Sequence, residues 1–303
     1  MPLPKPKPLE SRADFVSRCV INPEIRNEFP NEEQRLAVCY DLYGDKTIKA
    51  EDSFEEKYQS GFESRLDSAE EKEYRPFFTF LRREYYKGVD AYLATGKVAG
   101  WESYFNRQEV AALYAILYRN IGSVFSKYYY QTFTPIYKPQ IDPTQYRNIW
   151  RDSFENAGKK IAEFRGASVS ETQQKELTRI IQRFHRSPEF QNLNEREAGR
   201  ILRSQVKGVS EWRAKTIVRT EATNAANFAS MQTAKDMYGA ENLTKKWLTS
   251  FVNSRDAHIS ANNQIRKFND MFEVGGEYLM HPASGSKPEN NINCKCTTLI
   301  RPV

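Results

Sequence analysis

The sequence predicts an α+β protein, with mainly helical N-terminal and middle regions and a small mixed α/β C-terminal domain. Three observations predict it. From Val110 to Tyr128 apolar residues recur at i, i+3, i+4 and i+7, the period of one buried helical face. Helix-start signals, a small polar residue followed three positions later by Glu or Gln, punctuate the chain as far as Asn194. After Gly239 the pattern changes to short strand-like runs, among them Met271-Phe-Glu-Val and Glu277-Tyr-Leu-Met around the consecutive Gly275-Gly276, the turn signal of a hairpin. Composition agrees. Over 303 residues apolar types make up 39 % and charged types 28 %, with a mean hydropathy of −0.73. That balance suits an assembly subunit or a long helical protein better than a compact enzyme. No stretch has the roughly 18 uninterrupted apolar residues of a membrane span, and the N-terminus lacks the apolar core of a secretory signal.

Residues 1–10 alternate proline with Lys or Leu and read as an extended, disordered arm. Residues 11–45 read as a helical hairpin module, with Ser11 as a cap, a break at Asn22-Pro23, Asn31 with Gln34 opening the second helix and Gly44 stopping it. Cys19 and Cys39 fall on its apolar faces as small buried hydrophobes. Four cysteines in all do not make a disulfide scaffold, and reduced thiols are the expectation. Residues 46–73 read as an acidic linker or weak helix, since 51–73 hold nine acids and three bases. Residues 74–206 read as a helical region whose aromatic face docks onto partners. Pro135, Pro139 and Pro143 impose a loop within it, and helix starts fall at Ser170 and Asn194. A further start at Ser210 leads to Gly239, and Lys246–Phe251 reads as a strand within a compact domain at 207–303.

Chemistry concentrates near the C-terminus. Two of the three histidines, His258 and His281, share that domain with Cys294 and Cys296. Imidazole and thiolate are the ligands zinc prefers. Cysteines two apart in a strand would lie about 7 Å apart, whereas thiolates on one zinc lie on the order of 4 Å apart, so the backbone has to bend for a site to form. Buried thiols or a reversible disulfide are the other readings. A zinc-dependent effector enzyme lacks support, because Ser260 stands where a deaminase-like His-x-Glu needs its acid and no hydrolase or phosphate-loop motif occurs. Charge is uneven: residues 1–160 hold 24 basic and 24 acidic side chains, so the net +6 belongs to the remainder. There, Arg196, Arg200, Arg203 and Lys207 lie on one helical face, either a solvated face or a track for a phosphate backbone.

Arg213-Ala-Lys-Thr-Ile-Val-Arg-Thr-Glu221, Asn224-Ala-Ala-Asn227, Lys245-Lys-Trp247, Arg255-Asp-Ala-His258, the Phe272–Gly276 segment, Pro282 and Asn293-Cys-Lys-Cys296 follow in an order similar to the head-morphogenesis domain of tailed phages, the phage Mu F-like family. The resemblance covers about 207–303. Arg18-Cys19, Phe29-Pro30 and Gln34–Cys39 also resemble a short helical segment of phage structural proteins. The sequence departs from the family pattern at Ala283–Lys287, where an Asp or Glu is usual, and at Lys295, where Arg is common. The resemblance implies a non-enzymatic minor head protein of a double-stranded DNA phage, assembled in the bacterial cytoplasm into the virion head near the portal vertex. Its implied partners are the portal protein, the major capsid protein and, nonspecifically, genomic DNA during packaging or delivery. A DNA-binding protein ejected with the genome is the alternative.

Overall fold

The computed structural model describes residues 3–7, 10, 12–43, 54–97, 105–188, 192–251 and 254–303. Three short helices come first: α1 (Arg12–Val20), α2 (Pro23–Glu28) and α3 (Glu32–Tyr43). Asn22 opens α2, its side chain accepting from the Glu24 and Ile25 amides. Phe15, Val16, Val20, Ile25 and Leu36 form a small core around Cys19 and Cys39. Those two residues are buried as expected, but they are joined in a disulfide rather than reduced. Their Cα atoms are 5.8 Å apart on facing helices, within bridging range, and a cross-link closing a loop of this length contributes about 3 kcal/mol. The expected disordered arm is not free where it is described: Leu3 packs on this core, and Arg18 donates to the Lys5 carbonyl at 3.0 Å. Ser11 and Gly44 lie outside the described residues.

Four long helices form the body: α4 (Phe54–Thr95), α5 (Arg107–Phe133), α6 (Arg147–Arg186) and α7 (Glu195–Tyr238). α4 corrects the expected linker at 46–73. Residues 46–53 lie outside the described residues, while 54–73 are the first half of a helix about 60 Å long. Tyr58, Phe62, Leu66 and Ala69 are buried at near-helical spacing, and the acids around them occupy the other faces. The Val110–Tyr128 face lies in α5 and turns inward. Phe125 meets Phe62 at 4.5 Å between ring centroids, Tyr128 stacks on Tyr58 at 5.4 Å, and Tyr114 meets Phe77 at 5.7 Å. The chain itself covers this face, so it is not the expected docking surface. Val124 is exposed.

Two expected helix starts are absent because α6 and α7 run through them. Gln173 is buried and donates to the Leu81 carbonyl on α4 at 2.9 Å, while Ser210 donates back to the Val206 carbonyl at 2.6 Å. Each side chain donates to a carbonyl without ending a helix. The signals at Asn194, a full capping box with Glu197, and at Gly239, with φ of +78°, do mark the ends of α7. The position 207 proposed as a domain boundary therefore falls inside α7.

The C-terminal part contains β1 (Leu243–Leu248), α8 (Asp256–Ala261), β2 (Ile265–Lys267), β3 (Phe272–Val274), β4 (Glu277–Leu279), α9 (Pro288–Asn291) and β5 (Thr297–Pro302). β1 is the centre of an antiparallel sheet ordered β2-β1-β5, with Lys245 opposite Ile300. It begins three residues before the expected strand, because Leu243 enters the main core. The Gly275-Gly276 hairpin forms as expected, with Val274 opposite Glu277 and φ of +57° and +69° at the two glycines. Asn227 of α7 fixes β5: its Oδ1 accepts from the Thr298 amide at 2.8 Å and its Nδ2 donates to the Cys296 carbonyl at 3.1 Å. Tyr129 of α5 donates to the Ile300 carbonyl at 3.1 Å, so bundle and sheet share one core.

Candidate functional site

His258, Cys294 and Cys296 come together; His281 does not join them. His258 lies on α8, and the cysteines precede β5. The bend that the strand reading required is present. Asn293 adopts a left-handed φ of +57°, β5 starts only at Thr297, and the Cys294 amide donates to the Asn291 carbonyl at 3.1 Å. Asn tolerates that conformation better than most residues. The Nδ1 of His258 lies 3.5 Å from each sulfur. All three side chains are buried, and both cysteines are free thiols. Thr223 of α7 donates to the Cys294 carbonyl, as Asn227 does to that of Cys296. On the other side, Thr249 donates to the His258 carbonyl at 2.6 Å, and Trp247 meets the imidazole edge-on at 5.8 Å. Burial pushes the Cys296 thiol up, but hydrogen bonds with Cys294 and His258 outweigh it and bring it below the ordinary range. The Cys294 thiol moves up, through its hydrogen bond to Cys296 and through burial.

His281 is buried elsewhere. Its Nδ1 faces the Pro282 carbonyl at 3.0 Å. Burial, assisted by the Lys245 ammonium, lowers its pKa to about 4 and keeps the ring neutral at pH 7. Lys245 is itself lowered to about 8 by burial, and it donates to the Met280 carbonyl at 2.7 Å. The loop at Ala283–Lys287, which has no acid of its own, receives a carboxylate from β4. Glu277 accepts from the Ser286 hydroxyl at 2.7 Å, from the Asn290 amide at 2.9 Å and from the Lys287 backbone amide at 3.2 Å.

A cleft of about 1280 Å³ opens between α6, α7 and the loop from His281 to Ile292. Phe164 and Trp212 stand at it with 80 % and 63 % of their surfaces exposed. Lys160, Arg165 and Arg213 add positive charge, and Glu221, the one acid lining it among the described residues, is buried. Glu221 accepts from Arg165 at 2.7 Å and from the Tyr118 hydroxyl at 2.8 Å. The sequence reading missed this cleft. Its signal is Trp212, which stands off the buried row Leu202, Val206, Ala214 and Val218.

The basic stripe lies on the first turns of α7. Arg196, Arg200 and Lys207 are exposed, whereas Arg203 pairs with Asp90 of α4. Among the described residues no helix is long and apolar enough to cross a membrane.

In comparisons with known proteins, the family described as Phage Mu protein F like protein matches residues 170–299. No curated protein and no solved structure matches the chain.

Proposed function

We propose, from the match of residues 170–299 to the Phage Mu protein F like family, which is associated with phage head morphogenesis, that the chain is a portal-proximal minor head protein acting in head assembly and in genome packaging or delivery. The family match carries this reading. It extends from the second half of α6 through α7 to β5, and so includes the α7 wall of the cleft and the loop from His281 to Ile292, while Lys160, Phe164 and Arg165 on the α6 wall precede it. Phe164 and Trp212 expose more aromatic surface than a stable monomer needs, and large exposed apolar surface marks interaction sites. Lys160, Arg165 and Arg213 select for an acidic, apolar segment, here assigned to the portal protein. The role is structural, not catalytic.

Coexpressed with cognate portal and capsid proteins, the wild-type chain is expected to sediment with procapsids. Phe164→Ser/Trp212→Ser is expected to lose co-sedimentation at an unchanged melting temperature. Undiminished incorporation of that variant overturns the docking face, and retention by capsid protein in the absence of portal overturns the choice of partner.

DNA contact belongs to the same proposal, through Arg196, Arg200 and Lys207. Binding of this kind is nonspecific and salt-sensitive. Neutralising the three residues is expected to flatten the dependence of log K on log salt by up to about 3, at about 0.9 per phosphate contact. An unchanged slope makes the stripe a solvated face.

A further inference from the structure

We propose that His258, Cys294 and Cys296 form a zinc site that ties the end of the chain to α8. The spacing carries the argument. In a tetrahedral site with Zn–N of about 2.0–2.1 Å and Zn–S of about 2.3 Å, a ligating nitrogen and sulfur lie about 3.5–3.6 Å apart. The His258 Nδ1 stands 3.5 Å from both sulfurs. Hydrogen bonding alone does not require this symmetry, because a neutral imidazole nitrogen has either one lone pair or one proton to offer, which serves one sulfur well and leaves the other beside it. A metal between the three atoms satisfies both sulfurs at once. The three ligand atoms all lie within 4.8 Å of one another.

The surroundings are those of a prepared site. Thr223 and Asn227 hold the carbonyls of the two cysteines, Thr249 holds that of His258, and the left-handed Asn293 turns both thiols to the same side. The three holding side chains stand on α7 and on the segment just after β1. Two thiolates and an imidazole favour zinc over hard cations such as magnesium or calcium. With both sulfurs as thiolates and the imidazole neutral, the bound unit is a neutral ZnHisCys₂ site, which suits a buried location. The fourth position falls to a water, since His281 is turned to the Pro282 carbonyl. The structural consequence is local. The segment from Pro288 to Cys296 has few apolar residues of its own, and the metal fastens it to the helix that also receives the N-terminal module, through Arg26 and Arg35 on Asp256.

The test uses the full chain purified without chelator from zinc-supplemented cells. Elemental analysis is expected to find near-stoichiometric zinc. Cys294→Ser, Cys296→Ser and His258→Ala are each expected to lose it, while His281→Ala keeps it. Because the ligand variants can fail to fold, the wild-type chain is also stripped of metal and titrated with Co²⁺ alone. Intense visible d–d bands with thiolate-to-metal charge transfer in the near ultraviolet are expected. Absence of both zinc and the cobalt spectrum overturns the proposal, as does zinc retained in the folded Cys296→Ser variant or a Cys294–Cys296 disulfide found by mass spectrometry in freshly isolated protein. Procapsid incorporation is read separately, so failure here leaves the docking proposal standing.

Discussion

Arg165→Ala is expected to destabilise the fold by about 3–5 kcal/mol at pH 7, the usual cost of leaving one member of a buried ion pair alone. Glu221 is 2 % exposed, and Arg165 is its only salt-bridge partner among the described residues. The Tyr118 hydroxyl donates to the other carboxylate oxygen and remains in the variant. Burial is the dominant influence on Glu221 and raises its pKa above the ordinary carboxylate value even with Arg165 present, Arg165 pulling it partly back. Removing the guanidinium lets burial act further. An acid whose folded pKa lies above its unfolded one binds an extra proton in the folded state, so stability rises as pH falls between those two values. The penalty of Arg165→Ala is therefore expected to shrink from pH 7 to pH 5.5. Urea unfolding of wild type and variant at both pH values checks this, the difference cancelling the other buried acids. A penalty that is the same at both pH values means that the loss comes from packing of the Arg165 stem. Adding Glu221→Gln to Arg165→Ala is expected to restore part of the stability, because an uncharged amide is cheaper to bury.

The readable parts of the sequence were those where local chemistry decides the backbone. Asn194 with Glu197, the glycine at 239 and the Gly275-Gly276 turn each satisfy or shape the backbone within a few residues, and all three stand where they were expected. Expectations failed where a tertiary partner took over. Ser170 with Gln173 matches a capping box, yet Gln173 is used by the Leu81 carbonyl on another helix. The acids of 51–73 hid a buried row because composition averages over faces, whereas Tyr58, Phe62, Leu66 and Ala69 disclose it by spacing. The aromatic face of α5 was legible as apolar, but only the packed structure shows that α4 covers it. At the candidate metal site, residue types pointed to the two cysteines and His258. The required bend became visible only at Asn293, and His281 was added by proximity in sequence, which the backbone does not respect.

Gly158→Ala and Gly208→Ala are expected to change stability in opposite directions, although both replace a helical glycine by the best helix former. In an open helix position that exchange gains up to about 1 kcal/mol. Gly208 on α7 is such a position, since a Cβ there would meet nothing within 4 Å. Gly158 is the opposite case. A Cβ on it would stand 2.5 Å from the Tyr114 carbonyl oxygen and 2.9 Å from the Ala115 Cα, both backbone atoms of α5. The two helices run antiparallel: Gly122 of α5 faces the Phe154 ring, and Gly166 of α6 faces Val110. Gly158, Ala162 and Gly166 thus form a row of small residues, four apart, that lets α6 lie on α5. No flexible side-chain tip is available to yield at 158, so the helices must separate and the contacts on both sides loosen together. Overpacking of this kind costs about 1–3 kcal/mol, occasionally more, which exceeds the propensity gain, and a larger residue such as Leu at 158 is expected to prevent folding. Chemical denaturation of the two alanine variants side by side checks the pair. A stabilised Gly158→Ala would mean that α5 and α6 do not approach this closely, and the cleft between α6 and α7 would then have a different shape.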